Sequence, residues 1–346
     1  MKRKHTAPIK LLITGISIAI TGILFLSLVT WYFNSPPGFM SDEIIRIDRG
    51  TTLREAAENL KARNLITSET FFLVLAKASG NTTIKTGKYR IYRGMSALEI
   101  LRSLTRGHVM VKKVTIPEGY NLFQVAERLD AEGVTEEDSF LYYAFDKTFL
   151  KSIGIHAPSA EGYMFPETYN FPEESDARDI IQWMYNQLQK ELGAMDLSNM
   201  KELNLNRHTL LTMASLIEEE ATVTDERELI SAVFHNRMKL GMKLYCDPTV
   251  RYAVKKFSGR LTYSDLETDS PFNTYVRRGY PPTPISSPGK GAIHAALHPA
   301  DVSYLYFVAR NDGSHYFSKT LSRHNKAVEY YQKGIKNGFV DEQKKD

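Results

Sequence analysis

The sequence predicts an α+β protein carried on a single N-terminal transmembrane helix, and three observations lead there. One apolar run is long enough to span a bilayer, and a strand-turn-helix unit repeats early in the chain after it. The rest mixes longer amphipathic helical patterns with loops rich in Pro, Gly and Tyr. With 42% hydrophobic and 24% charged residues over 346 positions, the composition supports the cores of two modest domains and excludes disorder as an explanation.

The apolar run, Leu11 to Phe33, holds 23 residues without one Asp, Glu, Lys, Arg or His. At about 1.5 Å per residue such a helix crosses the ~30 Å hydrocarbon core of a bilayer. Lys2, Arg3, Lys4 and Lys10 precede it without an acidic residue, so the positive-inside rule puts the N-terminus in the cytoplasm and everything after Phe33 outside. Trp31 and Tyr32 fall at the outer interface. A cleaved signal peptide would have an apolar core of roughly 7 to 15 residues and a small-x-small site. Here the run is longer and leads into Asn34, Ser35, Pro36 and Pro37, which reads as an uncleaved anchor. The expected division is a cytoplasmic tail over 1–10, the transmembrane helix over 11–33 and a linker over 34–43.

Charge points the same way. Four of the 44 basic residues lie in the first ten positions, which leaves 40 against 40 acidic residues in the exported part. No net basic field remains to suggest nucleic acid as a partner. The lone Cys246 has no partner for an internal disulfide, so the exported part depends on its apolar core.

The repeat lies in "IRIDRGTTLREAAENLKARNLI" (Ile45 to Ile66) and "VTIPEGYNLFQVAERLDAEGVT" (Val114 to Thr135), offset by 69 residues. Ile47, Gly50, Leu53, Ala57, Leu60 and Leu65 match Ile116, Gly119, Leu122, Ala126, Leu129 and Val134. A weaker third copy places Ile91, Gly94 and Leu104 at the corresponding offsets. Each copy reads as a short strand, a turn at glycine, then an amphipathic helix. "SETFFLVLAKASG" (Ser68 to Gly80) reads as a further helix with Ser68 as its N-cap. This βααβ order resembles LysM modules, which implies binding to N-acetylglucosamine-containing glycans. The expected module covers 44–112, and a domain over 113–337 opens with the second copy, ahead of a C-terminal tail over 338–346.

In that domain Asp176 to Leu192, Arg207 to Val223 and Asp225 to Gly241 read as helices, and "YLYFVAR" (Tyr304 to Arg310) reads as a buried strand. The chemistry points to Glu218, Glu219 and Glu220 near the end of "HTLLTMASLIEEEATV". Leu210, Met213, Ala214, Ile217 and Ala221 form an apolar stripe, and at about 100° per residue Glu219 points away from it. Glu218 and Glu220 flank the stripe, where partial desolvation raises a carboxyl pKa toward the value a general acid needs. Helical position alone leaves the catalytic role open between Glu218 and Glu220, with Leu211 tilting it slightly to Glu218.

"ASLIEEEATVTDERELISAVFHNRM" (Ala214 to Met238) strongly resembles the catalytic helix and following helix of endolytic murein transglycosylases, the MltG/YceG-like family. The resemblance extends through "EGYMFPETY" (Glu161 to Tyr169), "GMKLYCDPTV" (Gly241 to Val250), "NTYVRRGYPPTPISSPG" (Asn273 to Gly289), "HPADVSYLYFV" (His298 to Val308) and "HNKAV" (His324 to Val328). Two positions depart from the pattern: Cys246 stands where a polar residue is expected, and Thr283 where glycine is common.

This resemblance implies a catalytic role for Glu218. It also implies a lyase that cleaves the MurNAc-GlcNAc β-1,4 bond of nascent peptidoglycan strands and leaves 1,6-anhydro-MurNAc ends. It further implies work beside peptidoglycan synthases, while the short cytoplasmic tail suits a bacterial inner membrane; no cofactor and no metal are expected. One carboxylate suffices when the substrate's own C6 hydroxyl is the nucleophile.

Glu220, Asp247, Asn273 and Tyr275 are candidates for orienting the sugar or supporting Glu218, and Tyr163 and Tyr275 are candidates for stacking on it. Three rivals stand beside this reading: a cysteine peptidase built on Cys246 and His235, a noncatalytic wall scaffold, and a glycan hydrolase using water. His294 and His298 have the i, i+4 spacing of a zinc pair, but no HExxH motif accompanies them.

Overall fold

The computed structural model describes residues 6–38, 41–107, 110–335 and 338–343, and for residues 6–11 the backbone only. The basic residues Lys2, Arg3 and Lys4 lie outside the described residues. Helix α1 (Thr6–Asn34) contains one stretch, Leu12–Asn34, long and apolar enough to cross a membrane. Most of its large apolar side chains are exposed, while Phe33 near its end stacks on Phe71. Thr21 and Thr30 donate their hydroxyls to the carbonyls of Ser17 and Leu26, so these polar groups are satisfied within the helix.

The chain forms two compact units. Residues 1–112 and 172–174 make the first, which contains β1 (Glu43–Ile47), α2 (Leu53–Ala62), α3 (Glu69–Ala78), β2 (Gly87–Ile91) and α4 (Ala97–Arg106). β1 and β2 pair antiparallel with Ile45 opposite Tyr89. Alternation sends Ile45, Ile47, Tyr89 and Ile91 into one core with Leu60, Phe72, Ile100 and Leu104.

The repeat has a local physical basis. β2 and α4 form the weaker third copy, and strand β3 (Val111–Thr115) with helix α5 (Leu122–Ala131) forms the second. The turn glycines Gly50, Gly94 and Gly119 take φ of +88°, +86° and +80°, a region glycine enters without the Cβ clash. Each following helix is closed by a capping box, Thr52 with Glu55, Ser96 with Glu99 and Asn121 with Gln124.

Residues 113–171 and 175–346 form the second unit. β3 pairs with β4 (Thr168–Pro172). The helices are α6 (Glu137–Phe145), α7 (Lys147–Ser152), α8 (Ala177–Ala194), α9 (Arg207–Glu220), α10 (Arg227–Lys239), α11 (Asp247–Val254), α12 (Tyr263–Leu266), α13 (Lys290–Leu297) and α14 (Leu321–Lys333), with a hairpin of β5 (Tyr306–Ala309) and β6 (His315–Ser318) before the last.

Helix α9 is the hub of this unit. Every residue from Leu210 to Ile217 is buried, and α10, α11 and α13 pack against it. The sequence predicts one apolar stripe, but a helix surrounded by neighbours buries all its faces. The helix also ends at Glu220 rather than Val223. Ala221 is extended, with φ −84° and ψ 97°, and the β-branched Thr222 and Val223 follow it outside the helix.

Two further expectations are corrected. β5 is shorter than predicted and half-buried, because its fully buried partner β6 takes the inner position. Residues 338–343 are no free tail: Asp341 pairs with Arg310 at 2.7 Å, with their side chains only 7% and 8% exposed, and Gln343 bonds the backbone of Phe317. Residues 344–346 lie outside the described residues.

Candidate active site

The last turn of α9 ends against three loops of its own unit. Ser215, one turn before the glutamates, accepts the Ile285 N–H at 3.1 Å and donates to the Thr212 carbonyl. This fixes the 282–289 loop to the helix. The same loop exchanges backbone bonds with the "PEGY" turn: Gly119 N–H donates to Ser287 O at 2.9 Å, and Ser287 N–H to Tyr120 O at 2.8 Å. Glu118 is thereby carried to the start of α13.

Glu218 sits where two helices begin. Its Oε2 accepts the N–H of Gly289, the N-cap of α13, at 2.9 Å, and its Oε1 lies 3.2 Å from Nη2 of Arg227, the first residue of α10. Only 7% of its side chain is exposed. Burial raises its pKa and the neighbouring Glu118 adds to this, while the Gly289 N–H and Arg227 hold it back. The net direction is upward, so the acid keeps its proton to higher pH than a free glutamate and its anion has two donors in place.

Arg227 also lies 3.7 Å from Glu118 Oε2. Two glycines make room for this arrangement. A Cβ on Gly289 would overlap the Glu118 carboxylate, and one on Gly291 would overlap the Arg227 guanidinium.

The neighbouring glutamates meet different surroundings. Glu219 was predicted to face away, yet its carboxyl stands beside Ser286 and Gly119. The residue remains accessible to water, but crowding by the loop protein raises its pKa to about 7, with a smaller push from Glu218. Glu219 is exposed, as its place opposite the apolar stripe predicts, and what a single-helix projection could not show is the nearness of Ser286 and Gly119 to its carboxyl. Glu220 lies beside the Cys246 thiol and near Asp247, and desolvation raises it to about 7.

A fourth carboxyl is buried beneath the site. Glu161 accepts the Leu122 N–H at 3.1 Å and the Tyr252 hydroxyl at 2.8 Å on Oε2, while Oε1 is buried without a hydrogen-bond partner. Burial lifts its pKa to about 8. The following Gly162 takes φ +76°, and a Cβ there would overlap Pro284.

Other sequence candidates separate into two groups. Asp247 is exposed and accepts the hydroxyl of the half-buried Tyr275, forming a polar pair near Glu220. Asn273 and Tyr163 are corrected. Asn273 is fully buried, with its amide donating to Leu266 O and Thr268 O and its oxygen accepting the Tyr275 N–H, so it clamps a loop and has no free group for a sugar. Tyr163 is 5% exposed and its hydroxyl bonds His208 Nδ1 at 2.9 Å, which makes it a core residue rather than a stacking platform.

The cysteine peptidase reading fails on geometry. Cys246 is fully buried and its thiol is pushed well up by burial and by Glu220, while His235 spends Nε2 on the Ala296 carbonyl at 3.0 Å. His298, of the spaced histidine pair, has Nδ1 3.1 Å from the Asn199 amide. Sequence reasoning did not single out Glu118, Arg227 and Gly289, which the structure gathers around Glu218, or the buried Glu161. The signal for Glu118 was its place beside the repeat's turn glycine, and Glu161 and Gly289 open and close two of the quoted motif stretches.

A desolvated carboxyl with an N–H and a guanidinium ready for its anion can give a proton and take one back. Known proteins are similar to this chain in sequence. The YceG-like family matches residues 45–330. An endolytic murein transglycosylase of Bacillus subtilis (strain 168) is 38% identical over 303 residues, covering 83% of this chain and 84% of that protein. One of Streptococcus pneumoniae is 30% identical over 316 residues, covering 82% of this chain and 57% of that longer protein. The 2.6 Å crystal structure of a yceG-like protein from Listeria monocytogenes superposes with a TM-score of 0.58 at 33% identity, covering 84% of this chain and all of that one. The match spans both compact units and every residue of the Glu218 cluster, and the chain belongs to the YceG-like family.

Proposed function

We propose that this chain is an endolytic murein transglycosylase in which Glu218 serves as both acid and base. The observation that carries the assignment of Glu218 is its desolvated carboxyl, held between the Gly289 N–H and Arg227. Protonated Glu218 gives its proton to the glycosidic oxygen as the C1–O4 bond breaks, with the bonding pair leaving on that oxygen. The oxocarbenium-like centre is then attacked at C1 by the C6 hydroxyl of the same MurNAc. That hydroxyl's proton returns to the Glu218 carboxylate, closing a 1,6-anhydro ring without water. Between the two steps the anion is supported by donors already in position, so little reorganisation is needed.

Asp247 and Tyr275 orient the sugar, and Glu220 shapes the pocket beside them. The apolar helix anchors the chain in the bacterial inner membrane with the N-terminus in the cytoplasm and everything after the helix outside, where nascent strands and their synthases are met. In the proposed division, residues 44–112 are a LysM-like module that positions glycan and residues 113–337 carry the chemistry. The β1–α2–α3–β2 order supports the first part of that division.

Mass spectrometry of the products from purified glycan strands tests the reaction. Anhydro ends, one water lighter than hydrolysed ends, are expected. Products carrying the full mass of water would make the protein a hydrolase.

A further inference from the structure

The first unit holds a groove of about 580 Å³ between strand β2 and helix α4, remote in sequence from the glutamate cluster. Its size falls in the range of pockets that take a small ligand or part of a peptide. Arg102 and Arg106, four residues apart on α4, share one side of that helix, and Arg90 joins them from β2. Arg90 faces out because Tyr89 and Ile91 on either side point into the core.

All three arginines are exposed, and among the described residues none of their guanidiniums has an ion-pair or hydrogen-bond partner. This contrasts with the same unit's Arg46 and Lys88, which both pair with Glu174. The carboxylates lining the groove make their hydrogen bond and ion-pair contacts with other groups, although Glu99 feels the charge of Arg102 three residues on. Glu99 accepts the Ser96 N–H and hydroxyl, each at 2.8 Å, in its capping box, and Glu173 faces Lys112 at 3.9 Å. Tyr92 and Val111, 55% and 52% exposed, add apolar surface.

A neutral sugar has no use for three unpaired guanidiniums. A chain that carries several carboxylates along a partly apolar backbone matches them, because guanidinium forks bind carboxylates two bonds at a time. We propose that the groove lined by Arg90, Arg102 and Arg106 takes the carboxylate-bearing stem peptides of murein, so that the first unit recognises strands by their peptides. This rests on the murein reading above and adds a second point of substrate contact to it.

The test uses the full chain in detergent micelles with Glu218→Gln to stop cleavage, so binding is read independently of chemistry. Retention on intact murein is compared with retention on murein stripped of its stems, and with vesicles of phosphatidylglycerol or phosphatidylcholine. Replacing Arg90, Arg102 and Arg106 together by Gln should lower retention on stem-bearing murein about tenfold or more, and leave retention on stripped murein unchanged. A free stem tripeptide should displace the chain with its arginines intact, a measurement that needs no folded triple variant.

Equal retention of the triple variant on intact murein would overturn the proposal. So would an equal fall on stripped murein, failure of the tripeptide to compete, or a loss confined to phosphatidylglycerol vesicles, which would make the groove a lipid contact. Failure of the murein reading shows separately, as absence of anhydro ends when the chain with native Glu218 acts on the same murein.

Discussion

Glu218 is pulled in opposite directions by its neighbours, and each pull can be removed singly. Arg227 and the Gly289 N–H favour its anion, whereas burial and Glu118 favour its protonated form. A general acid must hold its proton, so activity falls as pH rises through its folded pKa. Glu118→Gln removes a raising influence and should move that alkaline limb to lower pH. Arg227→Gln removes a lowering one and should move it to higher pH, with a loss of rate because the anion loses a donor. A pH–rate profile of the two variants checks both signs. Gly291→Ala and Gly289→Ala should act through the same residues, displacing Arg227 and Glu118 respectively. The obstacles are the ends of flexible side chains, so circular dichroism should show a folded protein while cleavage falls roughly tenfold or more, as expected when donors to a developing anion move.

At the scale of elements, the strand-turn-helix repeat was legible because it is local: glycine turns, capping boxes and 3.6-residue spacing are all written within about twenty residues. The last turn of α9 was only half legible. Sequence placed Glu218 and Glu220 at the flanks of the apolar stripe, but the approach of Ser286 and Gly119 to the carboxyl of Glu219 depends on two loops roughly seventy or more residues away. Asn273 and Tyr163 were misread for the same reason, since their polar atoms are consumed by partners that no spacing reveals. Glu161 supplies an element-scale prediction. Its folded pKa of about 8 stands above the unfolded carboxyl value, so its contribution to stability is fully present below about pH 4.5 and is lost as pH rises toward 8. Glu161→Gln, neutral at every pH, should flatten that loss. Thermal unfolding midpoints of the two proteins should agree near pH 4.5 and diverge near pH 8, with the variant higher; parallel midpoints across that range would contradict the assignment.

For the molecule as a whole, the proposed anchoring by the apolar helix has a simple readout. A chain beginning near Ser41 lacks the one stretch among the described residues that is long and apolar enough to cross a membrane. It should fractionate as a soluble protein and still cleave glycan in vitro. Fractionation as an integral membrane protein would contradict the anchor. The two units have separate hydrophobic cores.

The central claim, that one carboxyl on α9 performs both proton transfers, is tested most directly by release of anhydro-muramyl products from Glu218→Gln, Glu219→Gln and Glu220→Gln proteins shown to be folded. Glu218→Gln keeps the size of the side chain but has no proton to give, so it should lose activity by the ~10² to 10⁴ that general acid/base catalysis contributes. The other two should retain measurable cleavage, reduced where their crowded carboxyls support the loops. A folded and active Glu218→Gln protein beside an inactive Glu220→Gln would contradict the account and move the acid/base to Glu220.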